Sequence, residues 1–242
     1  MRDLLLAIET STAHGSLALG RGDRLLAART LSPERRHAGE LLPVIHELLT
    51  AARATPDDVA VLAFSQGPGS FTGLRVAATV AQMWQSATGC RVVAVPTLEV
   101  LARNALACEQ RPRRVAVMMD ARQGRVFGAA FELAETGITA LAPAGVCAPA
   151  TWLRTLARPC AVSGDAVTSH RAVVEAAGLD VLPEEFARPD ARQVLAIGRA
   201  LAAAGRFAAA HEIVPLYLRP PECEEVYEQR RAEAKARRND RG

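Results

Sequence analysis

Twice along this 242-residue chain, short apolar runs separated by glycine turns give way to a helix, a further apolar run and a second helix. Such a pattern is met by sheets covered with helices, and its recurrence points to one α/β unit used twice. In the first unit, residues 4–9, 15–20 and 24–30 read as strands. The turns between them, at His14-Gly15 and Gly20-Arg21-Gly22-Asp23, are too short for crossovers, so the three form an antiparallel meander. Ser32 and Pro33 suit a helix start, and Leu41, Leu42, Ile45, Leu48, Leu49 and Ala52 follow at helical spacing. Pro43 lies inside that stretch and predicts a kink or a late start. Next come a buried strand over 59–64, a helix over 72–88 closed by Gly89, a strand over 92–95 and a helix over 98–107.

The polar, proline-broken stretch 109–114 divides the chain. Beyond it, 115–119 and 125–132 read as a hairpin about the turn 120–124, with a third strand at 138–141. A helix over 150–157, a strand over 160–163, a helix over 168–177, an Ala-rich helix over 190–204 and an extended segment 213–218 complete the second unit. The expected organisation is a first lobe over 1–108, a second over 109–221 and a charged tail over 222–242, frayed or disordered. Helix 190–204 is apolar enough to pack back on the first lobe.

Composition narrows the function classes. Half the residues are apolar and 23% are charged, which excludes general disorder. Aromatic content of 4% leaves the core to Ala, Leu and Val. No run approaches the ~18 apolar residues of a membrane helix, and the apolar start meets Glu9 too soon for a signal peptide. The expectation is a soluble, cytoplasmic protein without a membrane role. A net charge of +3 does not indicate nucleic-acid binding. The five cysteines form no CxxC pair and read as reduced thiols.

Few residues carry evident chemistry. The five histidines offer no HxxxH or HExxH face, so no metal site is expected. No GxSxG elbow is present. Gly67-Pro68-Gly69-Ser70-Phe71-Thr72-Gly73 follows a strand and opens a helix, where free backbone N–H groups can hold an anion. It departs from both the Walker pattern and GxGxxG, and a tight turn that brings the helix close would read the same way. Gly67, Gly69, Ser70 and Gly73 are the candidate phosphate contacts there. Glu9, Ser11 and Thr12 at the first hairpin are a second set, with Glu9, longer than the usual aspartate, placed where phosphotransferases hold Mg²⁺ through water; a turn bonding its own backbone would read the same way. Asp120, Arg122 and Asp165 read as turn formers.

The strings LLAIETSTAHGSLAL, RRHAGELLPVIHELL, FSQGPGSFTGLRVAATVAQ, VVAVPTLEVLA, MMDARQGRVFGAAFE and VPLYLRPPE occur in the order found in the TsaB (YeaZ) family, which this chain resembles up to about Glu222. GPGSFTGLR is the most specific of them. The resemblance implies the duplicated actin-like, Hsp70-like and sugar-kinase-like (ASKHA) fold, two lobes with mixed sheets flanked by helices. It implies a non-catalytic dimerisation and activating subunit in the formation of N6-threonylcarbamoyladenosine next to the tRNA anticodon. Its partners would be the catalytic TsaD and the ATPase TsaE, with tRNA reached through the complex and a homodimer formed when alone. TsaD carries an HxxxH metal pair on a first-lobe helix. The corresponding stretch here, Thr97 to Leu101, has neither histidine. No cofactor of its own is implied, with ATP or ADP at the shared interface. The implied TsaD interface comprises His37, Leu41, Ile45, Leu48 and Leu49 on one helix and Leu74, Ala77, Ala78 and Ala81 on the next. An autonomous ASKHA phosphotransferase and, less favoured, a glycoprotease-type metalloprotease are the alternatives.

Overall fold

A computed structural model of the chain describes residues 3–32, 37–134 and 137–219, the side chains of 37 and 38 excepted. The first half contains β1 (Leu4–Glu9), β2 (Ser16–Arg21), β3 (Arg24–Thr30), α1 (His37–Ala51), β4 (Val59–Gly67), α2 (Phe71–Thr88), β5 (Arg91–Pro96) and α3 (Thr97–Asn104). The second contains β6 (Arg114–Asp120), β7 (Val126–Ala134), β8 (Gly137–Ala140), β9 (Gly145–Cys147), α4 (Pro149–Thr155), β10 (Ala161–Ser163), α5 (Ala166–Ser169), α6 (Arg171–Ala176), β11 (Asp180–Val181) and α7 (Ala191–Ala203).

The duplication is explicit in the sheets. One runs β3-β2-β1-β4-β5 and the other β8-β7-β6-β10-β11, with β9 added against β7. In both, the first three strands form an antiparallel meander and the last two join in parallel. This is the two-lobed, mixed-sheet ASKHA architecture expected from the sequence.

Strand alternation sorts the side chains of the first sheet onto two faces. Leu4, Leu6 and Ile8 of β1 meet α1 and α2, which contribute Leu41, Ile45, Leu48, Leu49, Ala77, Ala78 and Ala81. Ala7, Ala18, Ala63 and Val93 point the other way and are covered by Ala191, Val194 and Leu195 of α7. Small residues on that face let α7 lie close: a Cβ on Gly198 would sit 2.5 Å from Ala63 Cβ. Helix α3 does the reverse. Leu98, Leu101 and Ala102 pack on Val115, Val117, Met119, Ala129 and Phe131 of the second sheet, while Val100 joins the α7 core. Each half thus lends its last helix to the other half's sheet. Polar bonds pin the exchange: Asn104 Nδ2 donates to the Phe186 and Arg188 carbonyls at 3.2 and 2.7 Å, and the Ala191 amide donates to Ser16 Oγ at 2.9 Å.

Several details differ from expectation. Strand β4 runs three residues past Phe64, because Ser65 pairs with Val95 and Gly67 with Pro96 of β5 across a register shift at Gln66. Pro43 lies inside α1, where the bond it deletes would have gone to Gly39 in the first turn. The expected helix 168–177 is broken at His170 into α5 and α6. Residues 213–218 join no sheet. The Ser32-Pro33 helix start falls partly, and the tail 222–242 wholly, outside the described residues. Among the described residues, no helix is long and apolar enough to cross a membrane.

Candidate functional site

Parallel strands of open α/β sheets end at a crevice, and here two such ends face each other. The loop after β1 and the turn after β4 form one wall, and the turn after β6 and the end of β10 form the other. A cavity of about 800 Å³ lies between them. Ser11, Thr12, Gly69 and Ser70 line it from the first lobe, and Asp120, Arg122 and Asp165 from the second. The residues read as isolated turn formers therefore share a site with the phosphate-loop candidates. Their signal in the sequence was positional: Asp120 ends β6 as Glu9 ends the equivalent β1.

Glu9 does not face the cavity. It is fully buried, and its Oε1 accepts from the Ser11 amide at 2.6 Å and from Ser11 Oγ at 2.5 Å. Its Oε2 accepts from Ser65 Oγ. Burial pushes its carboxyl above the ordinary range; the bonds from Ser11 and Ser65 oppose that and do not outweigh it. The expectation that Glu9 touches phosphate or a water-held cation is therefore corrected: it organises its own loop.

The glycine-rich turn is engaged in the same way. The Ser70 amide donates to the Ser11 carbonyl at 2.6 Å, and the Gly73 amide to Ser70 Oγ, the α2 cap, at 3.3 Å. Thr10 Oγ1 donates to the Gly73 carbonyl at 2.8 Å. A Cβ on Gly73 would overlap the Thr10 carbonyl oxygen, so glycine is required for α2 to approach β1. Of the two readings of this segment, close packing accounts for Gly73. Gly67 does not line the cavity either, whereas Gly69 and Ser70 do.

The opposite wall carries both signs of charge, Asp120 and Asp165 beside Arg122 and Arg219. The Asp120 amide donates to Asp165 Oδ1 at 3.1 Å, and Asp120 Oδ1 accepts from the Arg122 amide at 2.8 Å. Desolvation at the cleft wall, reinforced by the Asp120 charge, raises the Asp165 carboxyl above its usual range.

The implied partner surface also needs correction. Leu41, Ile45, Leu48, Leu49, Leu74, Ala77, Ala78 and Ala81 are all 3% exposed or less and face their own core. The exposed faces of the same helices carry Leu42 at 54% and His46 on α1, and Phe71, Thr79 and Met83, the last at 63%, on α2. His37 opens α1, and its side chain lies outside the described ones. The periodicity of the sequence located the helices, but it marks the face that packs inward.

Among the described residues, no group of three or more His, Cys, Asp or Glu side chains could hold a metal ion. The stretch Thr97 to Leu101 is α3, buried between the lobes apart from half-buried Glu99. Burial pushes the Cys147 and Cys160 thiols up, away from nucleophilic chemistry.

Comparison with known proteins gives these features a context. Residues 25–225 match the family model described as TsaD: tRNA N6-adenosine threonylcarbamoyltransferase. Over 226 residues the chain is 29% identical to the tRNA threonylcarbamoyladenosine biosynthesis protein TsaB of Bacillus subtilis (strain 168), spanning 91% of this chain and 96% of that protein. It is 34% identical to the protein of the same name from Escherichia coli (strain K12), over 55% of this chain and only 57% of that protein. Among solved structures, YeaZ from Pseudomonas aeruginosa superposes with a TM-score of 0.77 at 29% identity, covering 89% of this chain and all of that one.

Proposed function

We propose, because the chain belongs to the TsaB (YeaZ) family, that it serves tRNA threonylcarbamoyladenosine biosynthesis as a non-catalytic subunit that docks on and activates a TsaD-type transferase. The observation that carries this reading is the internal engagement of the groups a phosphotransferase would turn outward. Glu9 is bonded to Ser11 and Ser65, and the Ser70 and Gly73 amides of the 67–73 turn bond to the Ser11 carbonyl and to Ser70 Oγ. A cavity of nucleotide size persists while the Ser11 and Ser70 amides on its first-lobe wall are occupied. An independent phosphotransferase is disfavoured for the same reason.

Docking would use the outward faces of α1 and α2, where Leu42 and Met83 are exposed apolar anchors with no partner inside the chain's own core. The same face would pair two copies when the transferase is absent. TsaE would join as the ATPase of the assembly, and ATP or ADP would bind where the subunits meet rather than as this chain's resident cofactor. Contact with tRNA would come through the assembly, in the cytoplasm.

Reconstitution tests this. The chain is mixed with TsaD, TsaE, ATP, threonylcarbamoyl-adenylate and unmodified tRNA, and adenosine modification is followed with and without it. Modification should require the chain, and the chain alone should leave ATP unhydrolysed. Leu42→Asp with Met83→Asp should abolish co-elution with TsaD while leaving the thermal midpoint unchanged, since both side chains already meet water. Modification that proceeds equally without the chain, or ATP turnover by the chain alone, would overturn the proposal.

A further inference from the structure

Residues 213–219 belong to neither sheet, yet they run from the core of the first lobe to the turn of the second. Ile213 is fully buried among α1, α2 and the first sheet, and its carbonyl accepts from Gln82 Nε2 of α2 at 2.7 Å. Gln66, at the end of β4, holds the next stretch twice. Its Nε2 donates to the Val214 carbonyl at 3.0 Å, and its own carbonyl accepts from the Leu216 amide at 2.8 Å. The segment passes β4 so closely that a Cβ on Gly67 would lie 2.5 Å from the Leu216 carbonyl oxygen. Tyr217 then stacks on Phe71, the first residue of α2, with centroids 5.2 Å apart. Arg75 covers the same Phe71 ring at 3.9 Å and donates through Nε to the Tyr217 hydroxyl at 3.1 Å. Two residues on, the segment crosses the cleft. Arg219 Nη1 donates to the Ala121 carbonyl at 2.5 Å and Nη2 to Gln123 Oε1 at 2.7 Å, both on the turn after β6.

We propose that 213–219 is an interlobe strap and Arg219 its releasable latch. Engaged, the latch holds the 120–124 turn at a fixed distance from the first lobe and so sets the width of the 800 Å³ cavity, whose wall includes Leu216 to Arg219. Released, it lets the lobes part about α3 and α7, the exchanged helices that join them on the other side. The two ends are built differently. The first-lobe end has a buried side chain and a backbone hydrogen bond. Among the described residues, the second-lobe end is held by the Arg219 fork on a turn whose Arg122, Gln123 and Gly124 are exposed, a fastening that opens more readily than a core anchorage. The stack on Phe71 also ties the strap to the N-terminus of α2, so the state of the cleft and the exposed face of that helix are mechanically linked.

Hydrogen exchange and small-angle scattering on the full chain test this, comparing it with Arg219→Ala, Arg219→Lys and, as a milder change on the exposed turn, Gln123→Ala. Arg219→Ala should raise exchange about tenfold or more in both 120–125 and 11–14, the expected effect of losing charge-assisted bonds. The radius of gyration should increase, and exchange in β1 and β6 should stay as before. Arg219→Lys, which cannot span both acceptors, should fall between. If Arg219→Ala unfolds the chain, Gln123→Ala must reproduce the same pattern at smaller amplitude. Faster exchange confined to 216–219, with 120–125 and the radius of gyration unchanged, would show a trailing segment and no latch. Because no partner or tRNA is present, failure here leaves the subunit role untouched.

Discussion

At the end of β1, Glu9 holds its carboxyl where burial penalises the charged form. Its carboxyl is raised because burial outweighs the Ser11 and Ser65 bonds, so the folded chain binds a proton there more tightly than the unfolded chain does. Stability from that proton is complete below the ordinary glutamate range, near 4.5, and is lost as pH rises through the raised value. Glu9→Gln keeps an oxygen for Ser11 and an amide group for Ser65 but cannot ionise. The variant should therefore match or exceed the parent in stability at pH 7, with the gap closing toward pH 4. Urea midpoints measured across that window decide it, and parallel curves for the two proteins would show that Glu9 is not the titrating group. Comparing the pair removes the contributions of Asp165 and Glu99, whose carboxyls are also raised.

At the scale of elements, the sequence was most legible where apolar periodicity acts alone. The meander, α2 with its Gly89 end and the Asp190-capped α7 all follow from local pattern and cap chemistry. It was least legible where a long-range partner decides. Ser65 and Gly67 extend β4 because β5 pairs with them, and 213–218 reads as an extended segment whose partners, the Gln66 and Gln82 side chains and the Gln66 carbonyl among them, local pattern does not reveal. The candidate site divides the same way. Ser11, Thr12, Gly69 and Ser70 were found from glycine and hydroxyl clustering. Glu9 and Gly67 lie off the cavity, and Gly73 follows the close-packing reading of its turn, because which way a side chain or a turn amide points is set by packing. Helix α7 offers a test of element packing. Gly198→Ala would gain up to about 1 kcal/mol in helix propensity. Its Cβ, however, would lie 2.5 Å from Ala63 Cβ in the α7–sheet seam, and overpacking of this kind costs about 1–3 kcal/mol. The clash should win, lowering the denaturant midpoint, and Ala63→Gly added to it should recover part of the loss. A variant more stable than the parent would mean that α7 sits farther from the sheet.

For the molecule as a whole, the exchange of α3 and α7 means that the chain's two halves are not its two folding units. A fragment over 1–108 contains all five strands of the first sheet and both helices of one face, and by sequence it looks complete. In the structure, its other face shows Ala7, Ala18, Ala63, Val93 and Val95, which are buried only because α7 lies on them. Its own α3 would meanwhile lose the second-sheet core that Leu98, Leu101 and Ala102 enter. Two apolar surfaces would be exposed at once, each of a kind that at roughly 25 cal/mol per Å² contributes several kcal/mol to a domain whose net stability is on the order of 5–15 kcal/mol. The fragment should therefore be aggregated or molten, with weak near-ultraviolet circular dichroism, while the full chain unfolds in one cooperative transition. A peptide spanning 189–219 supplied separately should restore part of the dispersion of the fragment's amide spectrum, because it carries both α7 and the strap that fastens to Gln66 and Phe71. A well-dispersed spectrum from 1–108 alone would show that the first sheet needs no cover. The coupling between the lobes would then rest on the strap instead of the exchanged helices.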